Sequence, residues 1–332
     1  MGTLNRPGLG MNSWLGFGEE SSYGTAGTRT NFLEIESETL MKEVTRIEAV
    51  SILRRGVVDN KVLSGTVHVA GDMAFPVQYD GWLKLLKHAF GAVADSQPDV
   101  TNAPTVYKHT FTIQDVLPTG LTFEVFRDTT QFTTEPNKSF VYTGCKIEKI
   151  DFSCAIDEVL KCSVGIMGQN EARAARSSSN PPFSTSPYVI FTQGILTYNN
   201  NDLEVNNVNL SLSNGLAARY KLGSALTREP VADVKIAATG SFECEFQDWN
   251  EYDDFVNTTE RTLTLNFTGP SIQGGQSYKM NFTMTQVFIE KVKLSLDKPG
   301  RILMTIDFKC FRNSTSTINE IIADVYNTSA TV

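Results

Sequence analysis

The sequence predicts a mainly β protein made of two tandem domains of one design, each with a single short helix. Three observations predict it. The stretch 146–168, KIEKIDFSCAIDEVLKCSVGIMG, returns without a gap at 288–310 as FIEKVKLSLDKPGRILMTIDFKC, and Ile147 aligns with Ile289 at an offset of 142. In both copies the return strands alternate: Leu160, Cys162, Val164, Ile166 in one and Ile302, Met304, Ile306, Phe308 in the other. Alternation of that length is the mark of a sheet with two unlike faces. Finally, one short amphipathic helix precedes each copy of the repeat.

Each repeat reads as strand, turn and strand. In the first strand the alternation changes phase at a Glu-Lys step, with Ile147 on one parity and Ile150, Phe152 and Cys154 on the other. Two polar residues at a parity switch predict a β-bulge. The turns fall at 155–158 and 297–300, the second (Asp-Lys-Pro-Gly) with strong turn chemistry.

Ahead of the first repeat, residues 1–32 are rich in Gly, Ser and Thr but carry Trp14, Leu15, Phe17 and Tyr23. Large apolar residues without periodicity read as an N-terminal arm that docks elsewhere. The first domain then spans 33–170. Within it, RIEAVSILRRGVVDNK concentrates Arg46, Arg54, Arg55 and Lys61 in a hairpin or loop, and Thr66 to Tyr79 reads as strand. DGWLKLLKHAF at 80–90 is the clearest helix, with Trp82, Leu85, Leu86, Ala89 and Phe90 on one face. Asp80 is its expected N-cap and Gly91 its stop.

Residues 171–188, Ser-, Ala- and Pro-rich, read as a linker, and the second domain spans 189–312. Phe242, Cys244 and Phe246 form its strand, and DWNEYDDFV at 248–256 its helix, with Trp249, Tyr252, Phe255 and Val256 as the apolar face. Asp248 is offset from Asp80 by 168, against 142 later, so the first domain holds a 26-residue insert between helix and repeat. Residues 313–332 read as a C-terminal arm.

The formal charge is −8, from 29 basic and 37 acidic residues, which argues against a surface that grips nucleic acid through phosphates. No apolar run approaches the roughly 20 residues of a membrane span, and the first residues lack the apolar core of a secretory signal. The five cysteines, Cys145, Cys154, Cys162, Cys244 and Cys310, are expected as free buried thiols. The three histidines, His68, His88 and His109, have no metal-ligand spacing and are expected to be structural. No phosphate-binding loop, dinucleotide fingerprint or nucleophile elbow occurs. The acidic run Asp248, Glu251, Asp253, Asp254 fails the Ca²⁺-loop spacing and is expected as a solvated helix face. No catalytic, cofactor-binding or metal residue is assigned, and a non-enzymatic role is expected.

In order along the chain, LGFGEESSYGT, ESETLMKEVTRIEA, GDMAFPVQYDGWLKLLKHAFG and YTGCKIEKIDFSC make the sequence resemble the major tail tube proteins of bacteriophages with long, non-contractile tails. The motifs fall within roughly 14–168, and the repeat extends the likeness through 310. The resemblance implies β-sandwich or split-barrel domains, each with a helix packed outside the sheet, that join edge to edge into a ring-shaped β-barrel. Rings stack into a tube in the virion tail, made in the host cytoplasm, through which double-stranded DNA passes without being held. Implied partners are further copies of the chain and the tape-measure, tail-terminator and baseplate proteins. A chain with two such domains would fill a pseudo-sixfold ring with three copies; a six-copy ring with one domain outside is the alternative. Candidate contacts between rings are Trp14, Leu15, Phe17, Tyr23, Arg46, Arg54 and Arg55. Candidate lumen-facing acidic residues, expected to sum to a negative field, are Glu148, Asp151, Glu243 and Glu245. Two other readings remain open. One is a different virion part on the same β module, such as a terminator, baseplate hub or decoration protein; the other is a carbohydrate-binding β-sandwich.

Overall fold

A computed structural model describes residues 7–48, 62–294, 296, 299–312 and 321–332. The first half of the chain contains β1 (Trp14–Glu19), β2 (Asn31–Leu33), β3 (Ser37–Glu38), β4 (Met41–Glu48) and β5 (Val62–Pro76). Helix α1 (Leu83–Phe90) follows, then the hairpin β6 (Gly91–Ser96) and β7 (Tyr107–Ile113). It closes with β8 (Leu121–Phe126), β9 (Lys138–Ala155), β10 (Lys161–Gly168) and β11 (Asn170–Ala175). The second half contains β12 (Gly194–Tyr198), β13 (Asn201–Leu203), β14 (Val205–Ser213), β15 (Leu216–Lys221), β16 (Ser224–Ala232) and β17 (Ala237–Glu245). Helix α2 (Asn250–Asn257) leads to β18 (Arg261–Gln273), β19 (Gln276–Leu294), β20 (Leu303–Cys310) and β21 (Ile322–Asn327).

The same pairings occur in both halves. An outer sheet runs β2–β1–β8–β9–β11 in the first and β13–β12–β18–β19–β21 in the second. An inner sheet runs β4–β5–β10–β9 in the first and β14–β17–β20–β19 in the second. One long strand per half, β9 or β19, serves both layers. In β9 the change of layer falls at Gly144, whose φ of +63° is a conformation that favours glycine. The expected bulges are present: the β9–β10 register skips Glu148 and the β19–β20 register skips Glu290.

The two inner sheets are one. Residues 149–155 of β9 pair antiparallel with 207–213 of β14, from Lys149↔Ser213 to Ala155↔Asn207. The result is an eight-stranded sheet in the order β4–β5–β10–β9–β14–β17–β20–β19. Its apolar face and the outer sheets enclose one continuous core that draws on both halves. Phe152 sits at the join, its ring centroid 4.9 Å from Phe282 and 5.9 Å from Trp82.

Several segments are placed otherwise than the sequence suggests. Trp14, Leu15 and Phe17, read as part of an arm, lie in β1 between β2 and β8 and are buried in the chain's own core. The segment read as a linker begins as β11, and Phe183 then packs on Trp14, Phe32 and Phe126. Within the region read as a C-terminal arm, β21 is inserted between β19 and β7. That strand ties the β6–β7 hairpin, which occupies the expected insert, to the outer sheet of the second half.

Helix α1 starts at Leu83 with Trp82 in the N-cap position and no side-chain cap. Asp80 instead accepts from the Gly81 amide at 2.7 Å and from the Ser329 hydroxyl. Helix α2 is rotated from its expected setting. Trp249 and Val256 are exposed, whereas Glu251 and Asp254 of the acidic run are buried. Asp254 accepts two bonds from Arg261, at 2.9 and 2.8 Å, and one from the Tyr198 hydroxyl at 3.1 Å. A fork of that kind lets a carboxylate face inward.

Candidate functional site: a polar sheet face with two open edges

Alternation along the eight-stranded sheet divides its side chains cleanly. Ile150, Phe152 and Cys154, Leu210 and Leu212, and Phe242 and Cys244 point into the core. Asp151 and Ser153, Asn209 and Ser211, and Thr239 and Ser241 line a shallow groove of about 500 Å³ on the other face. The groove lies across the β9–β14 join. Short polar side chains dominate there because the sequence around β14, VNNVNLSLS, sets Asn and Ser against Val and Leu at period two.

Three of the four acidic candidates belong to this face by parity. Asp151 is paired with Lys149 at 2.9 Å. Glu243 accepts from the Asn206 amide at 3.2 Å, and Glu245 is paired with Arg301. Glu148 is the skipped residue of the β9 bulge and stands outside the alternation; its carbonyl accepts from the Asn214 amide at 2.7 Å. Lys149, Lys161 and Lys309 share the face, so acidic and basic groups are interleaved along it.

Among the described residues, the outer edge of β4 carries no strand, and neither does the far edge of β19 over Ile289–Leu294. The sheet is therefore an arc with an unpaired edge at each end, a template for another strand. Of the candidates for contacts between rings, Trp14, Leu15 and Phe17 are spent on the internal core. Tyr23 is half-buried, its hydroxyl donating to the Arg228 carbonyl at 3.4 Å, and burial pushes its pKa up. Arg46 is exposed on β4, while Arg54 and Arg55 lie outside the described residues.

The cysteines and histidines make their contacts within the chain. All five cysteines are buried, and burial raises the thiol pKa of Cys145 and Cys162 well above its ordinary value. His88 meets Glu19 at 3.0 Å, and His109 bridges Asp95 at 2.7 Å and Asn327 at 3.0 Å. His68 meets Glu43 at 3.1 Å and the Tyr220 hydroxyl at 3.2 Å. Among the described residues no group of three or more His, Cys, Asp or Glu is placed to hold a metal ion. No described helix is long and apolar enough to cross a membrane.

What the architecture defines is a mainly β protein whose principal sheet, among the described residues, ends in two unpaired edges. The phage tail tube protein family matches residues 10–310, and the chain belongs to that family. It is a structural protein of the virion tail. No curated protein matches the sequence.

Proposed function

We propose that three copies of this chain form each ring of the tail tube, the two halves of every chain acting as successive tube domains. The observation that carries the reading is the β9–β14 join, through which one half already extends the inner sheet of the other. Eight strands per chain would place about 24 around a three-copy ring, more than the 16–18 strands that suffice for an aqueous channel. Closure would remove both open edges.

The polar face would then be the lumen wall. Its short hydroxyl and amide side chains, with acidic and basic groups interleaved among them, would leave DNA phosphates few cations to bind. The tape-measure, terminator and baseplate proteins would be the partners at the tube's axis and ends. Mass per unit length and end-on averages of purified tubes test the stoichiometry. Three chains per ring with two similar domains each is the expected result; six chains per ring, doubling the mass, overturns it. For the lumen, the pair Asp151→Lys and Glu243→Lys should leave tubes intact yet make them retain duplex DNA in a salt-dependent way. Unchanged DNA retention would move this face away from the conduit.

A further inference from the structure

The internal join also carries residue-level information about the contact between chains. In the first half, the β9 segment 149–155 is flanked by β10 on one side and β14 on the other. The corresponding β19 segment begins at Lys291, by the offset of 142, and is flanked by β20 alone among the described residues. In the ring reading, the strand on its free side would be the equivalent of β14.

Register identifies that strand. Met167 of β10 pairs with Ala70, and its counterpart Lys309 of β20 pairs with Thr239, so Ala70 and Thr239 are equivalent. Ala70 pairs onward with Met41 and Thr239 with Ser211. Met41, Lys42 and Glu43 are therefore the counterparts of Ser211, Leu212 and Ser213. Along β4 these residues present their free edge at the opposite end of the arc.

We propose that β4 of one chain pairs antiparallel with β19 of the next in the register already built at β9–β14. Ser213↔Lys149 then translates into Glu43 opposite Lys291, Leu212↔Ile150 into Lys42 opposite Val292, and Ser211↔Asp151 into Met41 opposite Lys293. The Asn214 amide bond to the Glu148 carbonyl becomes one from Val44 to the bulge residue Glu290. The chemistry agrees with the translation at its most exposed point. The internal join sets a neutral serine against Lys149, whereas the join between chains sets a carboxylate against an ammonium on the same polar face. Directly opposed charges of unlike sign add to this register. A one-residue slip would turn the faces over, and a two-residue slip, which would offer Glu43 to Lys293 instead, would lose the translated bond at the Glu290 bulge. The partner of each edge is thus a second copy of this chain.

This inference rests on the ring reading above, and its test separates the two. Glu43→Cys and Lys291→Cys, both at exposed strand positions, are combined in one chain, and assembled particles are oxidised and run on a non-reducing gel. The native cysteines are all buried and stay silent. The expected result is a ladder that stops at a covalent trimer. A second double variant, Glu43→Cys with Lys293→Cys, is displaced by two residues and should cross-link at least tenfold less. In the native background, Glu43→Lys should cut assembly about tenfold, and adding Lys291→Glu should restore it. Rings or tubes that cross-link through Lys293→Cys, or through neither site, overturn the register while leaving the ring intact. Particles with no rings at all by electron microscopy overturn the ring reading itself, and this inference with it.

Discussion

Replacing Phe152 by Ala tests whether the two halves fold as one body. Its ring is 3% exposed and lies against Trp82 of the first half and Phe282 of the second. Removing a buried phenylalanine costs about 3–5 kcal/mol, the upper part of that range where rigid aromatic neighbours cannot collapse into the space. The assay is equilibrium urea unfolding of the monomeric chain, followed by Trp fluorescence and far-UV circular dichroism. With a slope of about 3 kcal/mol per molar, a loss of about 4 kcal/mol lowers the midpoint by roughly 1.3 M. Because the core is shared, both probes should report one transition that moves as a whole. Phe282→Ala should do the same from the other side, and the double variant should fall short of additivity by about 1 kcal/mol. Two separate transitions, of which Phe152→Ala shifts only one, would refute the shared core.

Other outcomes follow from particular contacts. Gly144→Ala forces a side chain into a left-handed position with its Cβ 2.7 Å from Gln169 Cβ, and should cost about 1–3 kcal/mol, read as a fall of several degrees in thermal midpoint. The hydrogen bond from His88, aided by Lys87, holds the Glu19 carboxyl at about 2. A carboxyl pKa lowered in the folded state adds stability that is complete above its ordinary value of about 4.3 and is lost as pH falls towards about 2. Glu19→Gln should therefore flatten the acid limb of a stability–pH profile between those values. Arg127 grips Glu38 at 2.6 and 2.8 Å and donates to the Leu40 carbonyl at 2.6 Å. Arg127→Ala leaves that carboxylate largely enclosed and unpaired, at a cost of about 2 kcal/mol once partial exposure is discounted, and should speed amide exchange in β4.

What the sequence disclosed was local. The hairpins of the repeat and their bulges at Glu148 and Glu290 are visible because alternation and its phase change are written in consecutive residues. Strand β1 was hidden for the opposite reason. Five of its six residues are buried, so both its faces are covered and no alternation remains to detect. Gly16 and Gly18 complete the disguise, since Phe32 and the Thr28 carbonyl occupy the space their side chains would fill. The rotation of α2 depends on Arg261, which follows the helix and draws Asp254 inward; an apolar count over the helix alone cannot register that. The polar face was partly legible: of the four acidic candidates, Asp151, Glu243 and Glu245 belong to it by parity, whereas Glu148 is the skipped residue of the bulge. The β9–β14 join was not, although Val208, Leu210 and Leu212 announce a strand. Which strand they meet is a long-range matter that no local pattern encodes.

If the two halves act as successive tube domains, as proposed, joining them in one chain has a consequence for closing a ring. Each free body that docks surrenders its translational and rotational freedom, an estimated 4–15 kcal/mol at standard concentration. A ring assembled from six single domains would lose the freedom of five bodies to a sixth, whereas three fused chains lose that of two. In the proposed three-copy ring every second seam would thus be made during folding, where tethering has already lowered the entropy of encounter. The internal seam can consequently be plain, a row of Ser and Asn set against Lys149 and Asp151. The discrimination between right and wrong neighbours would then be left to the seams that form in solution, where the proposed register sets Glu43 opposite Lys291.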